Sequence, residues 1–291
     1  MYPASFEYHR AASVEEAVSL LTRYKDDAKL LAGGHSLIPM MKLRLAQPKH
    51  LIDIGRVGGL SGIKEEGGNF VIGALTTHFA VESSAAVRQK CPMMSEAAAL
   101  IGDPQVRNYG TVGGSVAHSD PAADWPALML ALGAEIKAVG PKGARTVKAD
   151  DFFKDLFTTA LGPDEVLTEI RIPTGGHSGA AYMKHPHPAS RFAVCGVAAA
   201  VSLDAGGKCT AARVGITGVG SHAVRAKGVE AALTGKTLDA ATIAAAAQKA
   251  ADGIDINADL QGSVEYKAHL TRVYTRRALE KAVERAKGGK S

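Results

Sequence analysis

Gly110-Thr111-Val112-Gly113-Gly114-Ser115-Val116-Ala117-His118-Ser119-Asp120-Pro121-Ala122-Ala123-Asp124-Trp125 is the stretch on which the reading of this chain turns. Two adjacent glycines flanked by hydroxyl residues let a backbone lie close against a ligand, with N–H groups free to meet an anion such as a pyrophosphate. The same chemistry stands upstream in Leu31-Ala32-Gly33-Gly34-His35-Ser36-Leu37, again a glycine pair followed by a polar residue and a new apolar run. One such pair is ordinary turn punctuation. Either pair alone is weak evidence for a phosphate site.

Composition sets the frame. At 291 residues, with 46% hydrophobic and 22% charged residues, the chain is an ordinary globular protein with room for about two domains. The start of the chain carries no charged and apolar targeting pattern, and the longest apolar run, Phe192 to Val201, is about half of what a bilayer needs, so a cytoplasmic protein without a transmembrane segment is expected. Cys91, Cys195 and Cys209 are far apart and form no C-x-x-C pair, so an iron–sulfur or zinc site is not expected on this chain. The net charge of +5 is concentrated at one end: Lys267 to Lys290 holds eight Lys or Arg against Glu280 and Glu284. A basic C-terminal helix fits a solvated face or a subunit contact, and nucleic acid is not an expected partner.

Taken in order, Ser13 and Glu16 make a capping box for a helix to about Tyr24, Lys29 to Ala32 reads as a strand, Leu37 to Leu45 as a helix and His50 to Ile54 as a strand. The first glycine pair therefore sits where a strand meets a helix, a place that favours anions. After the Gly58-Gly59 break come a strand at Phe70 to Gly73, a helix from Thr77 through Val87 and another from Pro92 to Leu100. Ile101 to Gly110 has no clean period and runs into the second glycine pair. A helix opens at Asp124 and ends at Gly133, a hairpin spans Glu135 to Lys148, and Val166 to Ile172 alternates as a strand. Pro173 to Gly179 has the composition of a boundary. Beyond it Ala181 to Lys184, Ala193 to Leu203 and Cys209 to Thr217 read as strands, and helices are expected from Ala223, Asp239 and Gly262.

Several motifs have plainer readings. Gly218-Val219-Gly220-Ser221-His222-Ala223 fits a dinucleotide fingerprint but lacks the following strand, so it reads as a strand-to-helix turn. His118-Ser119-Asp120 holds triad residue types that, as sequence neighbours, cannot form a relay, and His185-Pro186-His187 has no third metal ligand nearby. Asp124 is placed to cap its helix, and Lys184 reads as a solvated strand lysine. No catalytic cluster stands out.

Ala32-Gly33-Gly34-His35-Ser36 and Thr111-Val112-Gly113-Gly114-Ser115, with Asp120 to Asp124 following, resemble the paired FAD-pyrophosphate loops in the flavoprotein subunits of molybdenum hydroxylases. The likeness is above all to the medium-subunit type of aerobic carbon monoxide dehydrogenases, in the xanthine dehydrogenase family, and it spans Phe6 to Arg277. It implies an α+β fold: a two-part FAD-binding domain of the PCMH (vanillyl-alcohol oxidase-like) type over 1–176, with subdomains of about 1–56 and 57–176, and a C-terminal domain of antiparallel strands with a helical bundle over 177–291. It also implies an FAD site of Ala32, Gly33, Gly34, His35, Ser36, Leu37, Gly110, Thr111, Gly113, Gly114 and Ser115. Ile101 and Leu167 fall beside the flavin, and Asp124 and Lys184 near the cofactor. Ser115 stands where relatives often carry Asn, keeping a hydroxyl without the amide.

The same resemblance implies an electron-transfer subunit. Substrate would be oxidised at molybdopterin on a large partner, [2Fe–2S] clusters on a small partner would supply electrons to this FAD, and a dimer of heterotrimers would form. Carbon monoxide, an N-heterocycle and an aldehyde all fit as substrate. The alternatives are a self-contained FAD oxidoreductase of the same fold and a non-catalytic binding module whose glycine pairs are plain turns.

Overall fold

In the computed structural model, which describes residues 2–288, a Ser13 hydroxyl accepting from the Glu16 N–H at 3.1 Å starts the first helix, as the capping box predicts. The surrounding unit is a parallel sheet of β1 (Glu7–Arg10), β2 (Ala28–Leu31) and β3 (His50–Asp53) in the order β1-β3-β2. Helix α1 (Val14–Tyr24) lays its buried stripe of Ala17, Val18 and Leu21 into the same small core as Ile52 and Ala28. β1, Glu-Tyr-His-Arg, is mostly exposed and polar, so no alternation betrays it in the sequence. Helix α2 (Leu37–Lys42) stops short of the expected Leu45 because Arg44 turns into the left-handed region at φ 58°.

The second unit is an antiparallel sheet. β4 (Ile63–Glu66) and β5 (Asn69–Gly73) are followed by six helices: α3 (His78–Ser83), α4 (Ala85–Lys90), α5 (Pro92–Ala99), α6 (Pro104–Tyr109), α7 (Val112–His118) and α8 (Asp124–Leu132). The single helix expected from Thr77 to Val87 is two, because Ser84 is extended and its hydroxyl accepts from the Val87 N–H to restart the helix. The segment 101–110, without clean period in the sequence, holds α6, capped by Asp103 with Pro104 in its first turn. After α8 come β6 (Glu135–Gly140), β7 (Gly143–Lys148), α9 (Ala149–Phe152), a small hairpin of β8 (Phe153–Asp155) and β9 (Thr158–Thr159), and β10 (Val166–Pro173). The sheet order is β4-β5-β10-β6-β7.

A third sheet, in the order β11-β12-β13-β14, is built from β11 (Gly179–Pro186), β12 (Ala193–Leu203), β13 (Cys209–Thr217) and β14 (Val224–Arg225). The helix expected from Ala223 is displaced by β14 and begins later as α10 (Lys227–Leu233), so the Gly218 to Ala223 stretch joins strand to strand. α11 (Ala240–Ala247) and α12 (Val264–Ala286) complete the helical layer. Lys267 of α12, counted above in a basic solvated face, is buried and ion-paired to Asp259 at 2.6 Å. Lys290, counted in the same excess, lies outside the described residues.

All nine residues of α8 are buried. A helix with no solvent face needs partners on every side, and close approach on one side is made possible by a missing side chain: a Cβ on Gly215 of β13 would lie 2.2 Å from the Ala127 carbonyl oxygen of α8. Gly179 of β11 does the same for α12, where a Cβ would lie 2.2 Å from the Ala282 carbonyl oxygen. Backbone cannot yield as a flexible side chain can. Gly215→Ala is therefore expected to lower unfolding free energy by about 1–3 kcal/mol or more, as measured by urea denaturation. A change within experimental error would mean that α8 and β13 do not pack as described.

Candidate cofactor site

The two glycine-rich stretches, some eighty positions apart in the chain, meet in the fold. A Cβ on Gly33 would sit 2.1 Å from the Tyr109 carbonyl oxygen, and one on Gly114 would lie 3.8 Å from the Ala32 Cβ. The His35 and Tyr109 rings are 6.0 Å apart, edge to face. Gly34 takes φ +78°, which places the turn between β2 and α2 in a conformation that favours glycine.

The stretches differ in what they offer a ligand. Among the described residues, the backbone N–H groups of Gly33, Gly34, His35, Ser36 and Leu37 have no acceptor within the protein, and Ser36 makes no side-chain cap. A run of five unpaired donors around a turn is an anion-binding surface. The second stretch contradicts the expectation of free N–H groups. Its glycines belong to α7 rather than to an open loop, and their donors are already used: Val112 N–H to Thr76 O, Gly113 N–H to Ala74 O, Gly114 N–H to the Thr111 hydroxyl at 3.1 Å, and Ser115 N–H to Thr111 O. Here glycine serves close packing. A Cβ on Gly113 would lie 2.6 Å from Ala74, and one on Gly110 would lie 2.8 Å from His78 Nε2. The Ser115 side chain, half-buried, makes no hydrogen bond among the described residues and remains a free hydroxyl beside the first stretch.

Asp124 and Lys184 find each other. Asp124 is the first residue of α8, but Ala123 is the cap and contributes no side chain, so the capping role expected of Asp124 is not what it does. Its carboxylate accepts from Lys184 Nζ, 2.8 Å away, and from the Tyr182 hydroxyl at 2.5 Å. Lys184, expected to be solvated, is buried because β11 carries it under the segment that follows α5, and Nζ also donates to Leu100 O at 3.1 Å. Burial pushes the Asp124 carboxyl up from the usual range, against the opposite pull of Lys184 and Tyr182. Burial and the neighbouring carboxylate push the Tyr182 phenol well up.

The segment Leu100-Ile101-Gly102 is held by its carbonyls. Leu100 O accepts from Lys184, Ile101 O from Arg107 at 3.2 Å, and Gly102 O from Arg107 and from Arg191 at 3.3 Å. Arg107 is itself fixed by Glu82 at 2.7 Å. The Ile101 side chain packs against the main core. Leu167 is buried in that core, just before a bulge in β10 where Thr168 O accepts from the Ala74 N–H, and Ala74 is the residue against which Gly113 rests. Tyr109, His78, Arg107, Arg191 and Tyr182 thus belong to the site's framework although none was among the expected site residues; one hint was the aperiodic, arginine-bearing stretch after Leu100.

His78 lies beneath the second stretch. The Trp125 indole N–H donates to its Nδ1 at 3.0 Å, so Nδ1 is an acceptor and the ring is neutral. Burial, then the charges of His35 and Arg107, push its pKa down to about 4.

Two predictions follow from these buried groups. Lys184→Met leaves the Asp124 carboxyl buried without its cation and is expected to cost about 3–5 kcal/mol in chemical denaturation, with Asp124→Asn added in the same chain recovering a substantial share. An additive double variant would dissolve the pair. For His78 the folded pKa lies below the ordinary 6.5, so stability is complete above about pH 6.5 and is lost as pH falls toward 4. Between pH 7 and pH 5 this one group should remove about 2 kcal/mol, a loss that His78→Gln abolishes. Equal pH slopes for parent and variant would refute the assignment.

The chain is similar to known proteins along nearly its whole length. The family model described as the FAD binding domain in molybdopterin dehydrogenase matches residues 4–175, and that of the CO dehydrogenase flavoprotein C-terminal domain matches residues 180–282. The chain is 44% identical to the carbon monoxide dehydrogenase medium chain of Afipia carboxidovorans, over 99% of this chain and 100% of that one. It is 41% identical to the 6-hydroxypseudooxynicotine dehydrogenase complex subunit alpha of Paenarthrobacter nicotinovorans, over 99% and 97%. A solved structure of carbon monoxide dehydrogenase from Hydrogenophaga pseudoflava, lacking the Mo-pyranopterin moiety, superposes with TM-score 0.95 at 46% identity, covering 98% of this chain and 99% of that one.

Proposed function

The chain belongs to the family of FAD-binding subunits of molybdopterin dehydrogenases, and on that premise we propose that it is the electron-transfer subunit of a molybdenum hydroxylase. It is an oxidoreductase subunit whose cofactor is FAD. In this reading it takes electrons from [2Fe–2S] clusters on a small partner and passes them to an external acceptor, while a large molybdopterin subunit oxidises the substrate. The complex is a cytoplasmic dimer of heterotrimers. Among the described residues no helix is long and apolar enough to cross a membrane. The chain divides into an FAD-binding unit over 1–176, with subdomains of about 1–56 and 57–176, and a C-terminal unit over 177–291.

The observation that carries the reading is the run of five unpaired N–H groups at Gly33 to Leu37, set against Tyr109 and Gly110. That cradle fits a pyrophosphate in sign and in the number of donors it offers. Bound FAD supplies a redox centre that accepts electrons singly and delivers them in pairs. The chain's own residues bind and place it. Gly33 to Leu37 would donate to the diphosphate, with Ala32 and Gly114 beside it, and the Ser36 and Ser115 hydroxyls would add side-chain donors. Gly110, Thr111 and Gly113 hold α7 against the Ala74 to His78 turn, which fixes the far wall. Ile101, half-buried, would supply apolar surface for the flavin ring, whereas Leu167 is buried in the core. Asp124 and Lys184 act through backbone: with Lys184 engaged by Asp124 and Leu100 O, the pair positions the Ile101 segment. No side chain is required to move a proton, in keeping with a subunit whose substrate chemistry lies elsewhere. The names of the relatives differ in substrate, from carbon monoxide to 6-hydroxypseudooxynicotine, while this chain type stays the same.

The test is reconstitution. The isolated chain is expected to hold one FAD, released entirely on acid precipitation, and to oxidise no substrate. Co-expressed with its partners it should yield a complex containing molybdenum, iron and flavin, whose flavin absorbance bleaches when substrate is added. Gly33→Ala, which drives a methyl into the Tyr109 carbonyl, should lose most of the flavin while keeping its far-ultraviolet circular dichroism. Turnover by the chain alone at roughly one to a thousand per second would overturn the subunit reading.

A further inference from the structure

Glu7 and His9 are two residues apart on β1 and therefore stand on one face of the sheet, and His50 of β3 is the register partner of Glu7. Their polar ends converge at the start of both strands. His9 Nε2 and His50 Nδ1 are 3.1 Å apart, His50 Nδ1 and Glu7 Oε2 are 3.3 Å apart, and His9 Nε2 and Glu7 Oε2 are 3.8 Å apart. Within the protein these three atoms meet through a contact between the two imidazoles and through the Glu7 carboxylate, which faces both rings.

We propose that Glu7, His9 and His50 form a binding site for a divalent first-row transition ion. A triangle with those three edges has a circumscribed radius of about 2.0 Å, so an ion placed just out of its plane meets all three atoms at about 2.0–2.1 Å, the usual length of zinc bonds to imidazole and carboxylate. The edges themselves match the ligand separations on one face of a tetrahedron. Two neutral imidazoles and one carboxylate favour zinc and its neighbours over magnesium or calcium, which take all-oxygen sets. The rings are already oriented: the Tyr24 ring of α1 stacks on His50 at 3.6 Å between centroids and 14° between planes, and on His9 at 5.0 Å. Glu7 is exposed while both histidines are half-buried, so an ion enters from solvent on the Glu7 side and keeps a position open to water.

The site is separate from the cofactor cradle. It lies level with Ala28, where β2 begins, whereas the unpaired N–H groups follow Leu31, where β2 ends, roughly 10 Å further along the strand. An ion there joins the amino-terminal strand to β3 through side chains in addition to the ladder.

Equilibrium dialysis of the flavin-loaded chain, freed of any affinity tag, against zinc with elemental analysis tests the proposal. The parent is expected to retain one zinc that Glu7→Gln, His9→Gln and His50→Gln each weaken by about tenfold or more, with flavin content unchanged in all four proteins. Glu7→Gln is the decisive variant, because an exposed isosteric change leaves the fold intact. Equal zinc retention by parent and Glu7→Gln, or no retention by the parent at micromolar zinc, overturns the assignment.

Discussion

A carboxylate at the first position of a helix with no solvent face has to be met by a cation, and in this fold the cation comes from a strand of the C-terminal sheet. Asp124 begins α8, and Lys184 reaches it from β11, sixty positions later in the chain. Burying either charge alone is costly, so the two units cannot separate without exposing or stranding one of them. The pair does more than join. Because Lys184 also donates to Leu100 O, the ion pair fixes the segment that follows α5, and the Tyr182 hydroxyl donates a further hydrogen bond to Asp124. The α8 helix is thus both the centre of the core and the part through which the C-terminal sheet supports the cofactor unit.

Glycine pairs that look alike in the sequence act in opposite ways. At Gly33 and Gly34 the backbone turns away from its own acceptors, leaving donors for a ligand. At Gly113 and Gly114 every donor is satisfied, and the absence of side chains lets α7 lie against Ala74 and beside Ala32. A shared pattern of small residues reports close approach, and what approaches can be ligand or protein. Only an account of where each N–H goes distinguishes the two.

That distinction explains how far the sequence could be read. Local signals survive into structure: Ser13 and Glu16 cap α1, Gly133 ends α8 at φ 65°, and the alternation of Val166 to Ile172 is a strand. The glycine pairs and their likeness to a known family disclosed the fold and the cofactor. What stayed hidden depends on partners distant in the chain. β1 is a strand because β3 pairs with it, not because Glu-Tyr-His-Arg alternates. α6 is short and its register is set by Asp103 and Pro104 rather than by an apolar stripe. The burial of Lys184 has no local cause at all; the residues that remove it from water lie on α5 and α8.

The manner in which Leu100, Ile101 and Gly102 are held has an evolutionary consequence. Every side-chain hydrogen bond to the segment grips a main-chain oxygen, from Lys184, Arg107 or Arg191. Position is therefore inherited through the three basic residues, while the side chain at Ile101 is constrained only by the core that it packs against. A lineage can exchange that side chain for another apolar one that the core accommodates without rebuilding the segment's support. Gly102, at φ +49°, is the member of the segment that such drift cannot touch.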